Sequence, residues 1–338
     1  MKDINILAIE SSCDETSVAI IKNGNEILSN IVATQIDIHK EFGGVIPEVA
    51  SRIHVENISI VIEKAIKQAE VTMNNIDAIC FTKGPGLVGS LHVGVQAAKT
   101  MAWAFTKPLV GVHHISGHIF ANALVNEMKF PLIALVVSGG HSELVLMEDE
   151  MSYKILGTTQ DDAIGEAFDK VGRVIGLPYP GGVYIDKLSV DGNAIYKLPK
   201  PKTEKELDFS FSGLKSGVLQ FIKRCEKNNE EFTKEDLACS FQETAINILI
   251  EKTNKALEQY NPKMLVVAGG VAANSCLRAK ISELISTTHP DIELSIPPLK
   301  LCTDNAAMIG AAGYVLFKNG ITDNFDISAQ AGIDIENQ

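Results

Sequence analysis

Asn5-Ile6-Leu7-Ala8-Ile9-Glu10-Ser11-Ser12-Cys13-Asp14-Glu15-Thr16-Ser17-Val18-Ala19-Ile20-Ile21 is two apolar runs joined by a short polar turn. Such runs, bounded by turn residues, read as buried strands, so 5–10 and 16–21 are expected to flank a turn at 11–15. The figure recurs. Leu132-Ile133-Ala134-Leu135-Val136-Val137 runs into the tight turn Ser138-Gly139-Gly140-His141, and 144–147 returns. A third strand follows each hairpin, at 26–34 after Asn23-Gly24-Asn25 and at 153–156.

The rest of each half alternates helices with single strands. A helix is expected after Pro47, with Val49, Ile53, Ile58, Val61, Ile62, Ala65 and Ile66 as its apolar stripe. Strand 76–81 runs into Lys83-Gly84-Pro85-Gly86-Leu87-Val88-Gly89-Ser90, then a helix of small residues reaches about 105, and strand 109–112 follows. The second half offers helices at 166–175, 182–188, 213–227 and 234–259, strand 264–268, and Gly269-Gly270-Val271-Ala272-Ala273-Asn274 leading into another helix. A final helix opens at Asp304-Asn305. Strand–turn–strand–strand–helix–strand thus occurs twice, and the expected fold is a duplicated α/β one. It is similar to the actin-like ATPase architecture (ASKHA: actin, Hsp70 and sugar kinases), two lobes around a nucleotide cleft. The first lobe is expected over 1–125, completed by the C-terminal helix at about 304–325, and the second over 126–303.

With 338 residues, 46% hydrophobic and 21% charged, the chain has the composition of an ordinary globular protein large enough for two cores. No apolar run reaches membrane-spanning length, and 1–9 lacks the pattern of a signal peptide. Six scattered cysteines without a C-x-x-C read as reduced thiols in a cytoplasmic protein. A formal net charge of −12 excludes a protein that coats nucleic acid nonspecifically but leaves room for a local basic patch.

Between the halves stands His113-His114-Ile115-Ser116-Gly117-His118. On a helix, His114 and His118 share one face and can share a metal ion, although Ile115 stands where a zincin would carry its glutamate. Asp304 either caps the helix that follows it or supplies a third ligand, and His113 and His141 are candidates for further ligands or, in preference, for hydrogen-bonding roles nearby. Asp14 and Glu15, in the first turn, would bind a cation, act as a base, or cap local amides. The glycine pairs 139–140 and 269–270 follow strands directly, where backbone amides can approach a phosphate, or where the chain simply turns. Pro180-Gly181-Gly182, with Asp169 upstream, is a third pair.

Several motifs, in order, resemble one family: Glu10-Ser11-Ser12-Cys13-Asp14-Glu15-Thr16, Gly84-Pro85-Gly86-Leu87-Val88-Gly89, the histidine motif, Val137-Ser138-Gly139-Gly140-His141, Gly165-Glu166-Ala167-Phe168-Asp169-Lys170, Asp208-Phe209-Ser210-Phe211-Ser212-Gly213-Leu214-Lys215, Ala268 to Asn274 and Cys302-Thr303-Asp304-Asn305. It is the bacterial tRNA N6-adenosine threonylcarbamoyltransferase (TsaD) family, formerly described as O-sialoglycoprotein endopeptidases. One departure stands out, since the family's histidine motif usually has Glu where Ser116 lies. The resemblance implies that His114, His118 and Asp304 bind a divalent metal, Fe2+ with Zn2+ as the alternative. It implies that Val136, Val137, Ser138, Gly139, Gly140, Asp169, Gly182, Asp186 and Asn274 hold threonylcarbamoyl-AMP. Expected partners are tRNA, the paralogue TsaB and the ATPase TsaE, with no membrane.

An adenine amine is a poor nucleophile, so transfer to it calls for an activated carbonyl and a positioned amine, with Asp14 or Glu15 as orienting group or base. Lys197, Lys200, Lys202 and Lys205 flank Pro199 and Pro201 as candidate phosphate contacts or as a solvated loop. The rival readings are an actin-like kinase or ATPase, which leaves the paired histidines without a purpose, a metallopeptidase, and a non-catalytic scaffold.

Overall fold

The structure, a computed structural model, describes residues 3–337. The chain divides into two compact units: one holds the residues up to 128, 150–152 and those from 297 onward, the other 129–149 and 153–296.

In the first unit β1 (Asn5–Glu10), β2 (Glu15–Lys22), β3 (Glu26–Thr34), β4 (Ala78–Gly84) and β5 (Leu109–His113) form a sheet in the order β3-β2-β1-β4-β5. The first three strands are antiparallel, whereas β4 and β5 run parallel to β1. Helices α1 (Ile36–Phe42), α2 (Pro47–Gln68), α3 (Val88–Ala104) and α4 (His114–Phe120) belong to this unit, as does the last helix, α10 (Ala306–Lys318). Leu7 and Ile9 of β1 join Val18, Ile20, Ile79 and Phe81 in a core with α2 and α3. On the opposite face Ala8, Ile21 and Cys80 meet α10. Burial on both faces is why β1 is apolar almost throughout instead of alternating.

The second unit builds β6 (Leu132–Val137), β7 (Ser142–Met147), β8 (Lys154–Thr158), β9 (Met264–Ala268) and β10 (Glu293–Ser295) into the order β10-β9-β6-β7-β8, the topology of the first sheet read from its other end. Its helices are α5 (Ile164–Val174), α6 (Gly181–Ser189), α7 (Ser212–Asn228), α8 (Lys234–Tyr260) and α9 (Ser275–Thr288). Their ends follow local chemistry. Thr233 accepts the Asp236 N–H to start α8, and Asn229 and Asn261, at positive φ, close α7 and α8.

Two short elements, α1 and β10, have no counterpart in the sequence expectation, being too short to show a period. On α2 the buried stripe is Ala50, His54, Ile58, Val61 and Ala65, with Val49, Ile53, Ile62 and Ile66 flanking it half-buried. A histidine thus stands in the core. Among the described residues no helix is long and apolar enough to cross a membrane, and none of the six cysteines is in a disulfide.

α10 sits tight on the sheet because two of its residues lack a side chain. A Cβ on Gly310 would lie 2.5 Å from Ile21 Cγ1, and one on Gly313 2.4 Å from Cys80 Sγ. Gly313→Val is therefore expected to cost about 1–3 kcal/mol through overpacking. A lowered urea midpoint with unchanged slope checks this; an unchanged midpoint contradicts it.

Candidate active site

The first unit's site begins at the end of β1. Glu10 is fully buried, and a carboxylate there must be satisfied by donors. Its Oε1 accepts the Ser12 N–H, and its Oε2 accepts the Thr82 hydroxyl at 2.6 Å and faces His114 Nδ1 at 3.1 Å. Burial pushes this carboxyl up, but the His114 ring and the Thr82 hydroxyl hold it below the usual range. His114 Nδ1 also lies 3.2 Å from Ser12 Oγ. A donor at Nδ1 directs the other nitrogen, Nε2, away as a lone-pair ligand.

That nitrogen meets the rest of the trio. His114 and His118 are one turn apart on α4, their rings 4.6 Å apart and nearly perpendicular. His114 Nε2 is 3.5 Å and His118 Nε2 3.1 Å from Asp304 Oδ1, and one ligand atom from each residue lies within 4.8 Å of the others. Burial works against charge on His114, yet the Asp304 and Glu10 carboxylates outweigh it and raise its pKa to about 9. Positive charge is favoured here. His118, also buried, has both ring nitrogens without a hydrogen-bond partner, Asp304 approaching Nε2 as an ion-pair contact only. Two imidazoles and one carboxylate converging in this way fit a divalent cation with open coordination positions.

The reading of Asp304 as the cap of the last helix is corrected. Asn305 is the N-cap and accepts the Met308 N–H, so capping does not account for Asp304.

The turn 11–14 is held by residues the sequence reading did not single out. Ser11 donates to the Ser90 carbonyl and accepts the Gly94 N–H of α3. His54 Nε2 donates to the Cys13 carbonyl, its Nδ1 accepting the Thr16 hydroxyl at 2.7 Å. Gln35 N–H donates to the Asp14 carbonyl, and Thr34 donates to Glu15 Oε1. Glu15 opens β2. Burial, then the Asp14 and Asp304 carboxylates, push it well above the usual carboxylate range. The same causes raise Cys13 and disfavour its thiolate.

In the second unit Val136 and Val137 are core residues with no exposed side chain. The turn after them is closed by Ser138 N–H to the His141 carbonyl and His141 N–H to Ser138 Oγ. Gly269, at φ 92°, abuts it, since a Cβ there would lie 2.4 Å from the Val137 carbonyl oxygen. Around Gly139, Gly140 and Gly270 a Cβ would meet nothing within 4 Å. Asp169 accepts the Gly181 N–H at 2.7 Å and bonds the Gly182 amide, fixing the start of α6; its burial raises its pKa despite these bonds. Asp186, further along α6, accepts both the amide and the hydroxyl of Ser275. Asn274 caps α9 through Leu277 N–H and donates to the buried Gln242. Its side chain is engaged at both ends. Among the lysines of the 197–205 loop, Lys200 is paired with Glu251, and all four are exposed.

The family described as tRNA N6-adenosine threonylcarbamoyltransferase (TsaD) matches residues 26–311. The chain belongs to that family. Relatives of the same name include that of Bacillus licheniformis, 55% identical over 99% of this chain and 98% of its own length. That of Listeria monocytogenes serotype 4b is 54% identical with the same coverage. Membership makes the chain a tRNA-modifying transferase. Among solved structures, HypF of T. kodakarensis is similar over 94% of this chain and 49% of its own, with a TM-score of 0.67 and 12% identity. The Acidaminococcus fermentans (R)-2-hydroxyglutaryl-CoA dehydratase component A covers 92% of this chain and 98% of its own at a TM-score of 0.54 and 14% identity. These likenesses concern the fold, which is the duplicated actin-like one.

Glu10 touches the trio at His114 Nδ1. Glu10→Gln is expected to weaken Zn2+ or Co2+ binding about 10- to 100-fold, as loss of such outer partners does. Competition titration with a chromophoric chelator measures it, and wild-type affinity in the variant would contradict the arrangement.

Proposed function

We propose that the protein transfers the threonylcarbamoyl group from threonylcarbamoyl-AMP to N6 of the adenosine 3′ of the anticodon in tRNAs reading ANN codons, forming t6A. The observation that carries this is the convergence of His114, His118 and Asp304 behind a buried Glu10, in a chain of this family. In the reaction the amine nitrogen bonds to the carbamoyl carbon, the bond from that carbon to the adenylate oxygen breaks, AMP leaves, and the amine gives up a proton. His114, His118 and Asp304 would hold one divalent metal, Fe2+ before Zn2+, whose contribution when bound is Lewis acidity toward substrate oxygens.

The chain's own residues supply the rest. Ser138, Gly139 and Gly140, following Val136 and Val137, would offer backbone amides to the adenylate, and the open space around Gly139 and Gly140 supports that. Asp186 and Gly182 would recognise the nucleoside part, with Asp169 holding the start of α6 and Asn274 the start of α9. Glu15, raised by burial and by neighbouring carboxylates, suits the role of proton acceptor for the amine, with Asp14 beside it. TsaB and TsaE complete the reading as protein partners.

Two variants test these assignments. Gly140→Ala adds a methyl group to open space, so folding should be normal while calorimetric affinity for AMP or the adenylate falls at least about tenfold; unchanged affinity removes the turn from the binding site. Glu15→Gln should slow transfer from synthetic adenylate to tRNA by about 100-fold or more without altering adenylate affinity, and wild-type turnover would remove Glu15 as the base.

A further inference from the structure

After α10 the chain returns along the β5 edge of the first unit's sheet. Asp323 N–H donates to the Leu109 carbonyl at 2.7 Å, and its Oδ2 accepts the Gly111 N–H at 2.6 Å. Gln330 N–H donates to the Lys83 carbonyl, and Gly86 N–H donates to that of Ala331. Two glycines admit the segment. A Cβ on Gly84 would lie 2.0 Å from the Gln330 carbonyl oxygen, and one on Gly111 2.9 Å from Ile327 Cδ1. Ile335, near its end, is buried. This is a fitted strap.

The strap reaches the metal ligands by two routes. His113 Nε2 lies 3.0 Å from the Ile333 carbonyl oxygen, which can only accept, so Nε2 carries the hydrogen. His113 Nδ1 then accepts the Ile115 N–H at 3.1 Å, capping the first turn of α4. One ring therefore joins the strap to the helix that carries His114 and His118. The second route passes from Gly86 to Leu87, whose N–H donates to the Ser12 carbonyl at 2.8 Å, and Ser12 Oγ touches His114. α4 has only seven residues, too few to hold its own geometry, so the anchor of its first turn, together with the packing of Gly117 on Met308 and Ile309 of α10, sets where the two ligand nitrogens stand.

We propose that His113 is a positioning residue for the metal-binding helix and that the strap, residues 323–335, is a working part of the metal site. This rests on the reading of His114, His118 and Asp304 as metal ligands. Such support is tuned at two places: at the ring, and remotely at Asp323, which touches no ligand.

The test uses the full-length protein with Co2+ as probe, following d–d absorption and affinity at fixed pH. In His113→Asn the shorter side chain can still accept the Ile115 N–H but cannot reach Ile333; in Asp323→Ala the strap loses its hold on Gly111. Each is expected to weaken Co2+ binding about tenfold or more and to alter the absorption band, far-UV circular dichroism being unchanged. The double variant should lose less than the product of the two single losses, because both cut one path. His113→Asn and Asp323→Ala with wild-type affinity and spectrum, whatever their thermal midpoints, would overturn the proposal. Absence of any Co2+ binding that His114→Ala abolishes would sink the metal reading itself and this inference with it, so the two failures are told apart.

Discussion

A carboxylate with no access to water governs the first unit. Left without donors, Glu10 would cost several kcal/mol or give up its charge. It is satisfied by donors from three further parts of the chain: the Ser12 amide in the turn, the Thr82 hydroxyl on β4 and the His114 ring on α4. Charge-assisted bonds of this kind hold their partners at short, defined distances. The ends of β1 and β4 and the start of α4 are therefore fixed to one another by the same group that fixes the orientation of the imidazole. The place of the candidate metal ligands is a consequence of how the sheet's strands end.

The two sheets share one topology, yet their equivalent hairpin turns have diverged. The turn between β1 and β2 spends its hydroxyls and carbonyls on internal partners: Ser11 on α3, Ser12 on His114, Cys13 on His54. What it presents is carboxylates. The turn between β6 and β7 has the opposite character: a Cβ on either of its two glycines would meet open space, and Ser138 and His141 close it. One copy of the fold has become a scaffold for side-chain chemistry, the other a surface of bare backbone. A duplicated fold can carry different chemistry in its two copies through short segments such as these turns, without a new architecture.

Much of this was legible in the sequence. Two apolar hairpins with polar turns gave the duplication, because strands buried on both faces announce themselves as continuous apolar runs. Histidines four apart on a short helix gave two of the three candidate ligands that the structure brings together. What stayed hidden depends on distant partners. Glu10 reads as the last residue of a strand, and nothing local says that Thr82 and His114 will surround it. His54 sits at the right period for the core of α2, but a histidine there passes for a surface residue until Cys13 and Thr16 are seen at its two nitrogens. Asp304 and Asn305 are both good caps, and only the structure assigns the cap to Asn305. The strap at 323–335 has neither period nor α-helix, and its role is written in the glycines it crosses, Gly84 and Gly111.

The central claim is that the histidine–aspartate trio serves threonylcarbamoyl transfer to tRNA, and nucleoside mass spectrometry tests it most directly. Undermodified tRNA would be incubated with synthetic threonylcarbamoyl-AMP, the partner proteins and either the wild-type chain or a His114→Ala/His118→Ala variant. The account predicts threonylcarbamoyladenosine with the wild type and none above background with the variant. Equal product from both would contradict it by leaving the trio without a part in the reaction, and no product from a metal-loaded wild type would contradict the transfer itself.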